Sequence, residues 1–312
     1  MNGSSLTPGA PELSEMIPGT RFFTIRSEAV GAPFGVWVTV PPAYALGTDP
    51  LPVLYVTDAN MQVALTAPLG AAMSLDPVRP VRPHVQVAIG YVGDDARDFI
   101  RVRNRDLVPP GEPFPHQMAD HLRPRVDRGL LPEETFRRIV DELSSTGADR
   151  FLSFIEDELH PEIAAGWRID PDDAGLFGYS YGALFSLYAF ARPSRLFRTV
   201  GASSPGVLSS ESEVYRLYRE RLRTGGAGPG RLHLTVNASE GSGPEALYRD
   251  LSARYLQTLD LIRRDPLPGV RVTAETLIGE VHATGIVDGF RSFLRSCYGS
   301  GTDGAVVIAD GA

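Results

Sequence analysis

Between residues 51 and 298, short runs of β-forming residues alternate with longer segments of helical period. The strand-like runs are "LPVLYVTD", "HVQVAIGYV", "AGLFGYS", "FRTVGASS", "RLHLTVNA" and "VRVTAETLI". The segments "FLSFIEDELHPEI", "YGALFSLYAFA", "SEVYRLYRERLR", "EALYRDLSARYLQTLDLIRR" and "GIVDGFRSFLRSCY" read as helices. In the first of these, Phe151, Phe154, Ile155, Leu159 and Ile163 recur at helical spacing. Parallel neighbours need a long crossover, and apolar strands need cover on both faces. The alternation therefore predicts an α/β fold with a mainly parallel central sheet between two helical layers. Ahead of it, "RFFTIRSEA" and "FGVWVTVPP" predict two antiparallel strands. No linker divides the pattern, so residues 19–298 are expected to form a single domain. The small and polar stretches 1–18 and 299–312 are expected to be loosely held, flexible ends.

One segment interrupts the rhythm. Residues 107–150 are rich in proline and contain one evident helix, "PEETFRRIVDEL". A long excursion inside an α/β pattern reads either as a lid over a binding site or as a plain surface insertion.

Composition removes several function classes. The 312 residues carry a net charge of −8, and every basic side chain is Arg, scattered among more numerous acids. No basic face for nucleic acid is expected. Cys297 is the single cysteine, so an intramolecular disulfide or a cysteine metal cluster is ruled out; its place in the last helix suggests a small core residue. His116 and His121, five apart, do not have metal-ligand spacing, and no metal is expected. The first twenty residues lack a basic and apolar leader, and no apolar run reaches membrane-spanning length. The simplest expectation is a cytoplasmic protein with no membrane or nucleic-acid partner, and a homodimer as a candidate assembly.

Chemistry enters at "LFGYSYGALF", residues 176–185. The pattern Gly-x-Ser-x-Gly by itself is weak; in a chain of this Gly and Ser content it arises by chance about once in five times. Here a strand leads into it and an apolar helix leaves it. That context fits a nucleophile elbow, in which Ser180 projects from a tight strand-to-helix turn above the carboxyl edge of the sheet. Gly178 and Gly182 leave room where the backbone passes its neighbours.

In this arrangement an acid and then a histidine follow the serine along the chain. Of the two downstream histidines, His233 sits inside a strand, whereas His282 in "LIGEVHATGI" lies between the last strand and the last helix. His282 is the candidate base. Glu240 in "LTVNASEGSG" follows the penultimate strand and is the candidate acid; Asp260, Asp265 and Glu280 are placed less well. The oxyanion hole should use the Tyr181 N–H with those near Ala59 and Asn60, in the loop after "LPVLYV".

With these pieces placed, the chain resembles the putative-esterase branch of the α/β-hydrolases, which includes esterase D-like enzymes and the enterobactin and salmochelin trilactone esterases. "LPVLYVTDAN" is similar to that family's strand and oxyanion loop, and "RVRNRDLVP" to its Arg-x-x-Asp-Tyr/Leu-Thr-Pro segment. "GADRFLSFIEDELHPEI", "GASSPGVL" and "GEVHATGIVDGFRSFL" are similar to three further stretches in the same order. Tyr179 and Ala183 stand where the family usually has His and Gly, and Asp58-Ala59 replaces Asp-Gly. The resemblance, over about residues 20–297, implies an α/β-hydrolase fold with Ser180, His282 and Glu240 as nucleophile, base and acid.

The resulting expectation is a cofactor-free serine esterase acting on a small-molecule ester or lactone. An acyltransferase or cyclase using the same acyl-enzyme, and a hydrolase fold kept only for binding, are the alternatives. Arg103 and Arg105 are candidates to hold a substrate anion, or else to pin their loop through Asp106. Tyr179, beside the serine, is the remaining substrate-binding candidate.

Overall fold

The computed structural model describes residues 13–192, 194–225, 230–299 and 305–310. A short helix α1 (Leu13–Met16) leads into β1 (Thr20–Arg26) and β2 (Pro33–Thr39), which pair antiparallel. After α2 (Ala43–Leu46) come β3 (Leu51–Val56), α3 (Ala59–Ser74) and β4 (Val85–Tyr91). Five helices follow: α4 (Gly93–Arg97), α5 (Phe99–Leu107), α6 (Phe114–Asp127), α7 (Glu133–Leu143) and α8 (Ala148–Ser153). The last continues through a π-helical stretch, Phe154–Leu159, into α9 (His160–Gly166). The chain then runs through β5 (Ile169–Tyr179), α10 (Tyr181–Ala191), β6 (Phe197–Ser203), α11 (Glu213–Thr224) and β7 (Gly230–Asn237). It ends with α12 (Ala238–Ser242), α13 (Ala246–Arg264), β8 (Val270–Leu277), α14 (Ile286–Tyr298) and β9 (Val306–Asp310).

The nine strands form one sheet in the order β1-β2-β4-β3-β5-β6-β7-β8-β9. From β4 to β8 every pairing is parallel, and the antiparallel strands lie at the two sides. Side chains alternate between the faces. Leu54, Val56 and Phe177 pack under α3 and α14 with Phe290, Phe293 and Leu294. Tyr55, Leu176 and Leu234 face the opposite layer, where Phe185 of α10, Phe151 of α8 and Tyr255 of α13 cover them. This is the mainly parallel α/β architecture expected from the strand–helix alternation, with the α/β-hydrolase fold.

Four features differ from the sequence reading or add to it. The excursion 107–150 contains α6 as well as the anticipated α7; Pro115 and Pro124 hide α6 from a helical reading. Helix α3 was also not evident, because it is apolar on all sides and carries Pro68. The chain end is not a loose tail throughout: Val306–Asp310 pairs antiparallel with β8, its β-branched residues closing an open edge. At the start, α1 and the buried Ile17 pack against the domain. Residues 1–12, 300–304 and 311–312 of the two ends expected to be flexible lie outside the described residues.

The parallel strands share one carboxyl edge, where loops from alternating crossovers open a crevice. Thr57 follows β3, Ser180 follows β5, Ser204 follows β6, Glu240 lies just beyond β7 and His282 beyond β8. Three non-glycine residues with positive φ are found among the described residues, and all lie on this edge: Asp58 (φ 56), Ser180 (φ 59) and Ser204 (φ 46). Such conformations cost about 1–3 kcal/mol each and persist where surrounding contacts over-determine them.

Candidate active site

Ser180 forms the corner between β5 and α10, with φ 59 and ψ −115. Neighbouring backbone enforces the corner: Ser180 N donates to Ser203 O at 3.0 Å, and Ser180 O accepts from Gly206 N at 2.9 Å. The two flanking glycines are required by contact. A Cβ on Gly178 would run into the Gly182 carbonyl, and one on Gly182 into the Thr57 hydroxyl. The turn thus holds the Ser180 side chain half-buried at the crevice.

The loop after β8 brings His282 to it. His282 Nε2 lies 3.1 Å from Ser180 Oγ, and His282 Nδ1 lies 2.7 Å from Glu240 Oε1. Glu240 sits on the single turn of α12, only 1 % exposed. Asn237, the last residue of β7, donates to the same Glu240 oxygen at 2.7 Å. Its Nδ2 also lies 2.9 Å from Tyr179 Oη and 2.9 Å from Ser204 Oγ. The Tyr179 phenol donates to the His282 carbonyl at 2.7 Å. Tyr248 of α13 stacks on the imidazole, with ring centroids 4.6 Å apart and planes 20° apart. Burial pushes the Tyr179 and Tyr181 phenols well above their usual range, so both stay protonated.

Across the crevice, Asp58 adopts the left-handed conformation immediately before α3. Ala59 and Asn60 open that helix, and no side chain caps its N-terminus. Asn60 itself is turned away, its amide bridging Tyr91 N at 2.7 Å and Tyr91 O at 3.0 Å. Arg103 of α5 holds Asp58 with two bonds, 2.8 and 2.6 Å, and lies 3.4 Å from the Tyr179 carbonyl. Its guanidinium also stands over the Tyr181 ring, 4.9 Å from the centroid.

Ser180, His282 and Glu240 therefore come together in one hydrogen-bonded line, with Tyr179 beside it. Arg103 and Arg105 do not present guanidiniums to the crevice in the same way. Arg105 is held by Asp106 through two bonds of 2.9 and 2.8 Å and reaches Asp95 at 3.2 Å. Both arginines are engaged by carboxylates of the protein, and since Arg105 and Asp106 are consecutive residues of α5, their pairing ties down no loop. His233 is a core residue bonded to Thr273 and Ser292, and burial pulls its pKa down to about 3. His121 faces Asp250 at 3.1 Å. Among the described residues, no group of three or more His, Cys, Asp or Glu side chains is placed to hold a metal ion. No helix among them is long and apolar enough to cross a membrane.

Sequence reading missed Asn237, Tyr248 and the Asp58–Arg103 pair. Asn237 carried a faint signal, as a polar residue ending an apolar strand. Tyr248 and Arg103 reach the site only through packing between elements far apart in sequence.

Comparison with known proteins points the same way. Residues 132–264 match the family described as "Putative esterase". The chain is 30% identical over 209 residues to ferri-bacillibactin esterase BesA of Bacillus subtilis, covering 64% of this chain and 63% of that protein. It is 28% identical over 174 residues to apo-salmochelin esterase of Escherichia coli, covering 56% and 47%. The chain thus spans less than two thirds of the length of these curated relatives. The siderophore hydrolase EstA of Aspergillus nidulans has the same fold, with a TM-score of 0.72 at 17% identity over 93% of this chain and 97% of that one. So does the BES protein of Bacillus cereus, with a TM-score of 0.69 at 19% identity over 94% and 99%.

Proposed function

We propose that this chain, part of which matches the putative esterase family, is a serine hydrolase of small-molecule carboxylic esters or lactones with the α/β-hydrolase fold. The observation that carries this reading is the line Ser180 Oγ–His282 Nε2–His282 Nδ1–Glu240, at 3.1 and 2.7 Å. A serine hydroxyl is a weak nucleophile until an adjacent base can take its proton. His282 takes that proton as Ser180 attacks the ester carbonyl, and Glu240 orients the imidazole and stabilises its charged form. His282 then protonates the leaving alcohol. In the second half-reaction it activates water, which releases the acid and restores Ser180.

Negative charge on the tetrahedral oxygen needs fixed donors. Tyr181 opens α10 and Ala59 and Asn60 open α3, so two helix N-termini meet at this edge, and their backbone N–H groups serve as the oxyanion hole. Arg103 fixes the turn before α3 through Asp58, Arg105 braces α5 against α4 through Asp95, and the excursion 107–150 forms a lid. The names of the relatives support an ester substrate of siderophore type.

The test is hydrolysis of one linear ester and one cyclic hydroxy-acid lactone by the full chain, with products identified by mass. Free acid is expected from the wild type, with a loss of at least about a thousandfold in Ser180→Ala. Unchanged hydrolysis in Ser180→Ala, or transfer of the acyl group to an alcohol in place of free acid, would overturn the reading.

A further inference from the structure

We infer that Tyr179 is a positioning residue: its phenol, seated by Asn237, holds the main chain of His282 and so sets where the imidazole meets Ser180. The inference rests on the hydrolase reading above and gives the residue before the serine a role other than contact with substrate.

His282 stands on a surface loop. Ile278 is 81 % exposed and Val281 51 % exposed, so little burial holds this part of the chain. Local bonds shape the loop, from Thr284 N and Gly285 N to Val281 O at 3.0 and 2.9 Å. Ser239 Oγ secures Glu280 O at 2.6 Å. Glu240 and Tyr248 hold the imidazole, and the His282 main chain is held from across the sheet edge, where Tyr179 Oη donates to its carbonyl at 2.7 Å. Tyr179 ends β5 and is joined directly to Ser180. The same rigid strand end therefore carries the nucleophile and grips the backbone of the base.

The proton count fixes the direction of each bond. A phenol has one proton, and a carbonyl can only accept, so Tyr179 donates to His282 O and accepts from Asn237 Nδ2. One Asn237 amide proton goes to Glu240 Oε1, and the other is shared between Tyr179 Oη and the nearby Ser204 hydroxyl. The amide cannot be reversed, because its oxygen would then face the Glu240 carboxylate. Its Oδ1 instead lies against Gly285, where a Cβ would collide with it.

The bonds close into a ring: Tyr179 to His282 O, His282 Nδ1 to Glu240, Glu240 to Asn237, and Asn237 back to Tyr179. Asn237 is fully buried, Glu240 is 1 % exposed and Tyr179 is 7 % exposed. Water competes poorly for bonds so enclosed, which makes the ring a stiff gauge of the distance between base and nucleophile. Displacing a reacting group by about 1 Å can cost a factor of about a hundred in rate.

The test compares the wild type with Tyr179→Phe, which removes one oxygen and keeps the ring, using an activated phenyl ester. It then repeats the substitution in a His282→Ala background. We expect Tyr179→Phe to lower kcat about 10- to 100-fold with KM changed less than about twofold, and to slow fluorophosphonate labelling of Ser180 in proportion. In the His282→Ala background it should change the residual rate by less than about twofold, since a residue acting through His282 has nothing left to position. A kcat within about twofold of wild type, or an equal loss in both backgrounds, would overturn the inference. If Tyr179→Phe does not fold, Asn237→Ser carries the same comparison. Ser180→Ala run alongside separates the two readings: activity surviving there sinks the hydrolase assignment, whereas Ser180-dependent activity indifferent to Tyr179→Phe sinks only this one.

Discussion

The carboxyl edge of the sheet and the excursion 107–150 are held by different forces. At the edge, Ser180, Asn237 and Glu240 end or follow parallel strands, and their contacts are buried or partly buried hydrogen bonds whose partners lie as many as 102 residues apart. The excursion is closed at its root by one backbone bond, Ala148 N to Val108 O at 3.2 Å. Near that root the buried Glu112 accepts from Ser212 Oγ and Glu213 N, whereas farther out the excursion's side-chain pairs, such as Arg123–Glu133 and His121–Asp250, have solvent access. Buried networks define one geometry, whereas exposed pairs contribute little and are exchanged readily for water. In the proposed hydrolase, chemistry rests on the buried network, and the excursion is the element proposed to act on entry.

The sharpest break in this contrast comes from the edge. His282→Ala should lower kcat by about three to four orders of magnitude, and Glu240→Gln by about one to three, with melting temperatures near wild type. Steady-state kinetics beside thermal melts will show it; a near-normal kcat in Glu240→Gln would move the acid's role elsewhere.

Next in size is the buried pair that ties α5 to the sheet edge. The Asp58 side chain has no solvent exposure, and Arg103→Met would leave its carboxylate buried without a cation. A loss of about 3–5 kcal/mol is expected in denaturant unfolding. A loss below about 1 kcal/mol would mean that the clamp is not needed.

Glu112, at the start of the excursion, gives a smaller effect with a definite sign. Burial, resisted by bonds from Ser212 and Glu213 N, pushes its carboxyl from 4.5 up to about 7. A carboxyl raised in the fold favours folding fully below its unfolded value and loses that contribution as pH climbs through about 7. Glu112→Gln keeps the acceptor without the ionisation. The variant should match the wild type at pH ~5 and exceed it by about 1–3 kcal/mol at pH ~8.5. Equal stability at both values would show that the site hydrates easily.

The smallest change is expected at the exposed pair. His121→Ala should alter unfolding free energy by less than about 1 kcal/mol, while raising KM for a bulky ester more than for a small one. Equal KM for both esters would argue that α6 does not border the entry path.

The same division explains what could be read from sequence. The corner at Ser180 is local: an apolar strand, two glycines and a helix lie within one short stretch. His282 and Glu240 are legible as candidates because parallel α/β topology sends loops after successive strands to one edge. Asn237 lacked that support, since its function depends on the register that sets Tyr179 beside Ser203 and Ser203 beside Thr235. Arg103 was read with Arg105 as an alternative between substrate and loop, and only packing of α5 on α10 reveals Asp58 as its partner. Helix α6 was invisible because its prolines mimic a loop, and β9 because a short β-branched segment among glycines gains order only from a waiting edge.

In the proposed hydrolase an acyl group passes through Ser180. Rapid mixing with a slowly deacylating ester, followed by quenching and peptide mass analysis, tests it directly. We predict a burst approaching one alcohol per chain and an acyl mass on the peptide containing Ser180, both absent in Ser180→Ala. Turnover with no burst and no adduct, or an adduct on another residue, would contradict it.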